Sequence, residues 1–592
     1  MGQNMQAIIL AAGYAKRMRP LTNNTHKTLL EINGESVLSN IIIKLIKNDI
    51  TDITLVVGYL AERLKEHVEK RFPEINFNYV ENKRYDKTNN LVSLSMALEQ
   101  VKLRSDVIII ESDLVYGDGV LKRILDSKYD NVALVDHYGP GMDGTVVSIE
   151  GEQITGVIPP HLQGSDFNFN DKFKTLNIYK FSSEFCFGPF KDLLAHYTTT
   201  IKDSYYELML GVIIYLRAET IYAEILQGEK WAEIDDPNDL QLARYMFEDK
   251  PKEILDRSYG GFWNYDVVDY CYLRNMYFPP AAMLSELKNN FSKTIFEYGS
   301  TQAILNRKVS YFLESEEEHV VCVNGISQLF PILRNHFKGK SVLHPSPSFG
   351  DYFRVFPDAN HYSDEVGINV EELEQAKEDV IIIVNPNNPT GSLVPTNWIY
   401  QYAESHPDKT VIVDESFIDF SDEPSLVPTL IQKALNNIIV VTSLSKVMGI
   451  AGLRLGYCYT HNQAFLETLK QEIPIWNINT IAENFLEILL KFRRQYQDSL
   501  ELVKRDRTEF FNGLSSLSVI KKVYASGGDY LLAEMNLDEE QLEKMCDYFL
   551  VEHNTYLKTV SEKFKTGKTW MRFAVHNPIE NKNLINRLNE YL

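Results

Sequence analysis

Paired cysteines are missing from this chain. Its five cysteines, Cys186, Cys271, Cys322, Cys458 and Cys546, are scattered with no C-x-x-C spacing. That argues against a disulfide framework and a structural zinc site. Long apolar runs are missing too: none reaches about 18 residues, the length that suggests a membrane span. The first residues show no charged start followed by a long apolar core and a cleavage site, so no export signal is expected. Internal repeats and low-complexity tracts are absent. Positive charge is scarce: Lys and Arg number 60 against 81 Asp and Glu, for a formal charge of -21. A far field of that sign repels phosphate, which speaks against nucleic acid and anionic membrane as partners. The expectation is a soluble cytoplasmic protein in which any phosphate site is local.

What is present is length and alternation. The 592 residues exceed one ordinary domain, and 44 % apolar content is enough for sizeable cores. In the first part, strands such as "AIILAA", "ITLVVGY" and "DVIIIESDL" alternate with helices such as "VLSNIIIKLIKN" and "NLVSLSMALEQV". Apolar strands alternating with helices predict a mostly parallel sheet covered on both faces. From about Asn131 to Tyr179 the strands crowd together, as in an antiparallel insert. Residues 1–245 form one expected domain, the charged, proline-containing 246–258 a linker, and 259–592 a second α/β domain. Its strands include "VIIIVNP", "TVIVDES" and "IIVVTSLS".

The first strand runs into "LAAGYAKRMRPLTNNTHK", a small-residue turn followed by four cations. Gly13 tolerates unusual φ and lets a polyphosphate approach backbone N–H groups. Arg17 lies within reach of the same anion. A lone G-x-x-x-R is usually a surface turn, but here "ILAAG", "RMRPLT" and "THK" follow in order after a strand. The run resembles nucleotidyltransferases that join a nucleoside triphosphate to a phosphorylated small molecule, with the phosphocholine cytidylyltransferase branch closest. The resemblance spans roughly residues 5 to 245 and implies a Rossmann-like fold. It implies that Ala11, Ala12 and Gly13 line the nucleotide, CTP. Arg17 would contact the triphosphate and Lys27 the acceptor phosphoryl group. Asn89, Asn90 and Ser93 of "KTNNLVSL" would flank the base. Asp113 and Asp235 would hold Mg2+, a hard cation that takes carboxylate and phosphate oxygens. Displacement at the α-phosphorus by an anionic oxygen needs no strong base; it needs two anions brought together by cations.

For the acceptor, the corresponding regions are "VDHYGPGMDGTVV", "LNIYKF" and "DSYYELM", with Asp136, Asp143, Tyr179 and Glu207 as candidate contacts. A carboxylate suits a primary ammonium, which donates hydrogen bonds; a trimethylammonium cannot. The plainer reading of Asp136 and Asp143 is loop acids in an acidic chain.

In the second half, "SLSKVMGIAGLRLGY", "NPNNPTG", "VIVDESF", "NGISQ" and "WMRFAV" occur with others in the order of a family pattern. They resemble fold-type I aminotransferases dependent on pyridoxal 5'-phosphate, in particular the histidinol-phosphate aminotransferase and threonine-phosphate decarboxylase branch. The resemblance implies that Lys446 carries the cofactor as an imine and then shuttles the proton. Ser443, Ser445, Arg454, Ile326 and Ser327 would hold its phosphate, and Tyr298 would reach the phosphate of a partner subunit. Asp414 would keep the pyridine nitrogen protonated, making the ring an electron sink. Asn388 would bond the ring oxygen, Phe349 would stack on the ring, and Arg572 would grip a substrate carboxylate. Phe417 stands where the family often has a tyrosine, which leaves decarboxylation open beside transamination. Tyr298 also implies a homodimer built through this half.

A fusion suggests consecutive steps. A small molecule with both an amine and a phosphoryl group links them, with an amino acid as amino donor. The arrangement resembles the bifunctional 2-aminoethylphosphonate cytidylyltransferase–aminotransferases, which implies transamination of phosphonoacetaldehyde followed by CMP transfer from CTP. The rival is a phosphoserine decarboxylase fused to a phosphoethanolamine or phosphocholine cytidylyltransferase. A third reading makes one half a scaffold, against which stand the intact Lys446, Asp414 and Arg454 set and Lys27 with Asp113.

Overall fold

The computed structural model describes residues 5–102, 105–139, 142–164, 166–201, 203–248 and 250–591. It has two compact units, Met1–Asp266 and Val267–Leu592. Among the described residues no helix is long and apolar enough to cross a membrane. All five cysteines are buried.

The first unit is built on a nine-stranded sheet. In chain order its strands are β1 (Gln6–Ala11), β2 (Asp52–Val57), β3 (Asn78–Glu81), β4 (Val107–Glu111), β5 (Val132–His137), β6 (Val146–Glu150), β7 (Gln153–Ile158), β8 (Phe173–Phe181) and β9 (Tyr222–Ile225). Their spatial order is β3-β2-β1-β4-β8-β5-β9-β7-β6. Strand β1 pairs in parallel with β2 and β4 and is buried along its whole length, which is why it reads as an unbroken apolar run. Strand β8 runs antiparallel between β4 and β5. Helices cover the faces for local reasons. Val37–Lys47 buries Leu38, Ile41, Ile42 and Leu45, a 3.6-residue stripe, and Ser36 caps it by accepting from the Ser39 N–H at 3.0 Å. The chain leaves β1 at Ala12–Gly13 and β4 at Ser112–Asp113, the carboxyl edge of the sheet, where such folds bind ligands.

Residues 246–258, expected as a linker, are largely helical. Pro237–Phe247 starts from an Asp236/Asp239 capping box, and Pro251–Ser258 follows with Pro251 in its first turn. A proline there loses no helical hydrogen bond, and Leu255 is buried. The compact units part later, after Asp266.

The second unit has a seven-stranded sheet: β10 (Val320–Val323), β11 (Val342–Ser346), β12 (Asn360–Ser363), β13 (Val380–Val384), β14 (Thr410–Asp414), β15 (Ile438–Ser443) and β16 (Gly456–Thr460). The order is β10-β16-β15-β14-β13-β11-β12. From β15 to β12 the neighbours are parallel; β16 is antiparallel to both its neighbours. A smaller antiparallel sheet of β17 (Ile520–Tyr524), β18 (Tyr530–Met535) and β19 (Trp570–Ala574) packs with helices Arg493–Ser515, Glu539–His553 and Pro578–Glu590.

Candidate active sites

In the first unit Lys27 lies on a helical turn, Lys27–Leu29, and points at the carboxyl edge of the sheet. Its Nζ sits 2.5 Å from Asp113 Oδ2 and 3.2 Å from Asp235 Oδ1. Arg17 reaches the other oxygen of Asp235 at 2.6 Å and Asp143 at 3.9 Å. Backbone pairing joins the two acids, since the Ile234 N–H donates to the Asp113 carbonyl at 2.8 Å. Burial works against the Lys27 charge, but Asp113 and Asp235 outweigh it and its pKa is raised. Burial works against Asp235 as well, yet Lys27 and Arg17 hold it below the ordinary carboxylate range. Asp113 Oδ1 is buried without a hydrogen-bond partner among the described residues. Two convergent carboxylates with an unused buried oxygen are a donor set that fits a hard divalent cation.

Next to this triangle lies an acidic pocket in which Glu207 is buried and Glu111 and Glu233 are half-buried. Asn90 donates to Glu111 Oε1 at 2.9 Å and to Glu207 Oε2 at 3.5 Å. Lys174 pairs with Glu233 at 3.0 Å, and Asn177 donates to Glu233 at 3.2 Å. Burial, then repulsion from Glu207, pushes Glu111 well up; burial also raises Glu207, and pushes Glu233 up to about 7 against the pull of Lys174. Tyr179 and Tyr206 close the pocket, their rings 5.7 Å apart at 78°. Three glutamates facing one lysine are more acids than that lysine can pair with, and a cationic ligand would favour their charged forms.

The other sequence-derived candidates fall in several places. Ala11 and Ala12 are buried at the end of β1, and Gly13 is exposed beside them. Asn89 caps helix Asn90–Gln100, and the Ser93 hydroxyl accepts from Asn82 at 3.0 Å inside the unit. Asp136 spends both oxygens internally, on the Trp231 indole N–H and the His137 N–H, each at 2.8 Å. Asp143 is exposed.

In the second unit Lys446 lies on the turn Leu444–Val447 directly after β15. Burial lowers its pKa, opposed by Asp529 and reinforced by Arg572 and Arg454. Asp414, at the end of β14, accepts from Tyr352 Oη at 2.8 Å and Ser416 Oγ at 2.6 Å. Arg454 donates to Ser327 Oγ at 3.2 Å. Gly325 has φ +69°, and a Cβ there would lie 2.7 Å from the Arg454 guanidinium, so only glycine leaves the cup open. Ser445 Oγ is buried without a partner among the described residues, and Ser443 ends β15 beside it. Ile326 and Ser327 open the turn that leads into helix Leu329–His336. Hydroxyls, N–H groups and a guanidinium around an unused donor fit a phosphate group. Arg572 donates to Asn388 Oδ1 at 2.6 Å and to the Cys271 carbonyl, while its buried Nε has no hydrogen-bond partner among the described residues. Phe349 lies 6.2 Å from Phe330, ring to ring. Phe417 is buried edge-on to Tyr530. Tyr298 stands apart, 80 % exposed, with its ring 4.6 Å from Trp476.

The aminotransferase class I and II model matches residues 264–588, more than half of the chain. The chain belongs to the aminotransferase class I and II family. This aminotransferase-family chain also matches the nucleotidyl transferase model over residues 6–135, so it joins an enzyme domain of each kind. The CMP-5'-(3-aminopropyl)phosphonate synthase of Streptomyces rubellomurinus is 30 % identical over 88 % of this chain and 84 % of its own length. An L-serine phosphate decarboxylase of Campylobacter jejuni is 26 % identical over 53 % of this chain and 86 % of its own length. The L-threonine-O-3-phosphate decarboxylase structure from Porphyromonas gingivalis, 23 % identical, covers 55 % of this chain and 99 % of its own with a TM-score of 0.50, a likeness of fold.

Sequence reasoning missed Glu111, Glu233, Lys174, Asp364 and Asp529. Asp364 is fully buried and takes hydrogen bonds from Asn387, Thr390 and Ser392 at 2.5–2.6 Å, which anchors the loop that carries Asn388. The available signal was a charge inside or directly beside an apolar strand: "VIIIE", "FKTLNIYKF" and "DYLLAEM".

Proposed function

We propose that the chain is a bifunctional enzyme of phosphonate biosynthesis that works in the cytoplasm as a homodimer. The first unit transfers CMP from CTP to a small aminated phosphonate and releases pyrophosphate. The second, with pyridoxal 5'-phosphate, transaminates phosphonoacetaldehyde to 2-aminoethylphosphonate at the expense of an amino acid. The observation that carries the first half is the set of buried Glu207 and half-buried Glu111 and Glu233 beside the Lys27–Asp113–Asp235 triangle. Buried carboxylates reward an ammonium that donates N–H bonds, and the cations next to them reward a phosphonate oxygen. The similarity to a CMP-aminopropylphosphonate synthase, which extends over both units, supports the same substrate class.

Mg2+ held by Asp113 and Asp235 would draw charge off the triphosphate. Arg17 neutralises the departing phosphates, and Lys27, once released from the two acids, steadies the attacking oxygen. Glu207 and Glu111, bridged by Asn90, orient the ammonium end, with Tyr179 walling the pocket. Ala11, Ala12 and Gly13 bring the backbone up to the nucleotide, and Asn89, Asn90 and Ser93 start the helix beside it.

In the second unit pyridoxal 5'-phosphate would supply an electron sink. Asp414, fixed by Tyr352 and Ser416, would hold a proton on the ring nitrogen. Ser327, Ser445, Ser443 and Arg454 would bind the phosphate with the Ile326 turn, Phe349 would cover the ring, and Asn388 would meet its oxygen. Arg572 offers its unused Nε to a substrate carboxylate, and Lys446 moves the proton. Tyr298, exposed on its own chain, would serve the partner's site.

Phe417 favours a second reading. With no hydroxyl at this position, and with L-serine phosphate decarboxylases among the relatives, the second unit would decarboxylate phosphoserine and the first would act on phosphoethanolamine. Pyrophosphate release with CTP and Mg2+ separates the readings when 2-aminoethylphosphonate, phosphoethanolamine and phosphocholine are offered in turn. The phosphonate is expected to be preferred; a preference for phosphoethanolamine replaces the transaminase reading with the decarboxylase one.

A further inference from the structure

Asp529 has no place in the chemistry above, yet it is among the most confined charges in the second unit. It is 1 % exposed, and neither carboxylate oxygen accepts a hydrogen bond from another described residue. Its backbone is pinned on both sides. The Val575 N–H donates to the Asp529 carbonyl at 2.7 Å, and just upstream the Gly527 N–H donates to the Gly391 carbonyl at 2.9 Å. A Cβ on Gly527 would lie 2.5 Å from Leu393 and 2.9 Å from Pro386, so this loop is pressed onto the one that carries Asn388. Arg507 reaches the Gly528 carbonyl at 2.8 Å and holds the turn from the other side. Such a backbone cannot swing the carboxylate out to water.

A buried carboxylate without hydrogen bonds is expensive to keep unless opposite charge faces it. Three cations do so: Lys446, Arg572 and Arg507. Two of them are already engaged, Arg507 on the Phe420 and Gly528 carbonyls and Arg572 on Asn388 and the Cys271 carbonyl. Lys446 is flanked on its other sides by Arg572 and Arg454, which repel it, and by the weakly acidic Cys271. Asp529 is therefore the strongest opposing charge set against the lysine, and burial has pushed its own pKa up to about 7 despite these cations.

We propose that Asp529 is the positioning residue for Lys446. It is the counter-charge that keeps the lysine ammonium in the site whenever the amine is not covalently engaged. The inference rests on the reading of Lys446 as the cofactor lysine. A lysine among two arginines would otherwise lose its proton and turn away. With Asp529 its charge is balanced, and it remains a held proton carrier.

The test uses the full-length protein. In the cofactor-loaded wild type, borohydride fixes pyridoxal phosphate to the chain and peptide mass analysis locates it. Stripped protein is then labelled with trace acetic anhydride from pH 6 to 10, and Lys446 modification is read against the exposed Lys544. Asp529→Asn is expected to lower the midpoint of Lys446 labelling by at least about one pH unit, or roughly tenfold more label below the midpoint. Asp529→Glu is expected to stay near wild type. If the asparagine variant does not fold, Asp529→Ser removes the same charge. Fixation at Lys446 with an unmoved midpoint overturns the role of Asp529 alone. Fixation at another lysine overturns the reading of Lys446 and this inference with it.

Discussion

Lys27 Nζ and Asp113 Oδ2 are 2.5 Å apart, and the same ammonium stands 3.2 Å from Asp235. One lysine thus occupies the ground between two carboxylates proposed to take a metal. Loading the metal and freeing Lys27 for the acceptor would then be one event. Asp113→Asn is expected to lower pyrophosphate release from CTP by about a hundredfold or more. Chelation of divalent metal should do the same to wild type, and neither should bleach the second unit's cofactor band. Release at the wild-type rate in Asp113→Asn would remove it from the metal site.

Glu207 tests the acidic pocket. Replacing it with Gln keeps the shape and deletes a charge-assisted hydrogen bond, worth about 1.5–3 kcal/mol. The expected outcome is a KM for the aminated acceptor raised roughly tenfold or more, with the KM for CTP little changed. A KM for CTP that rises instead would move Glu207 to the nucleotide.

Lys446→Ala is expected to abolish the visible cofactor absorbance and all amine formation. Cytidylyl transfer to acceptor supplied ready-made should continue at the wild-type rate. Absorption spectra and pyrophosphate release on one preparation measure both.

Glu415 gives a pH prediction for stability. It is fully buried, accepts from Ser425 and from the Leu426 N–H, and burial pushes its pKa from 4.5 up to about 7. A carboxyl raised on folding binds its proton more tightly in the native state. Between about pH 4.5 and 7 the unfolded chain has released that proton and the native one has not, so this contribution falls as pH rises. The full effect is on the order of 3 kcal/mol. Thermal melts of Glu415→Gln against wild type are expected to show a shallower loss of Tm from pH 5 to 8 in the variant. Parallel curves would count against it.

The sequence made the two sheets readable because a strand buried on both faces, such as "VIIIV" or "AIILA", has to be apolar throughout. The carboxyl-edge residues Lys27, Asp113 and Lys446 were readable because they sit in local turns with recognisable composition. Glu111 and Lys174 were not. They meet only because β8 inserts antiparallel between β4 and β5, a choice of strand order that no local pattern encodes. Strand β16 was hidden for a related reason: "GYCYT" follows a motif rich in small residues and gains its identity from antiparallel neighbours on both sides. Asp529 shows as an acid before a strand, but nothing in the sequence says that its carboxylate is sealed in with a lysine 83 positions upstream.

The five buried cysteines have a practical consequence. Burial pushes the Cys322 thiol up to about 12 and raises Cys186 and Cys458 further, so none of these three presents a thiolate near neutral pH. A cysteine engineered onto an exposed position would then stand out to maleimide dyes against a quiet native background. The natural sequence is in effect a ready scaffold for attaching a donor to one unit and an acceptor to the other. Fluorescence transfer could then be measured between the two labels without first stripping the protein of its own thiols.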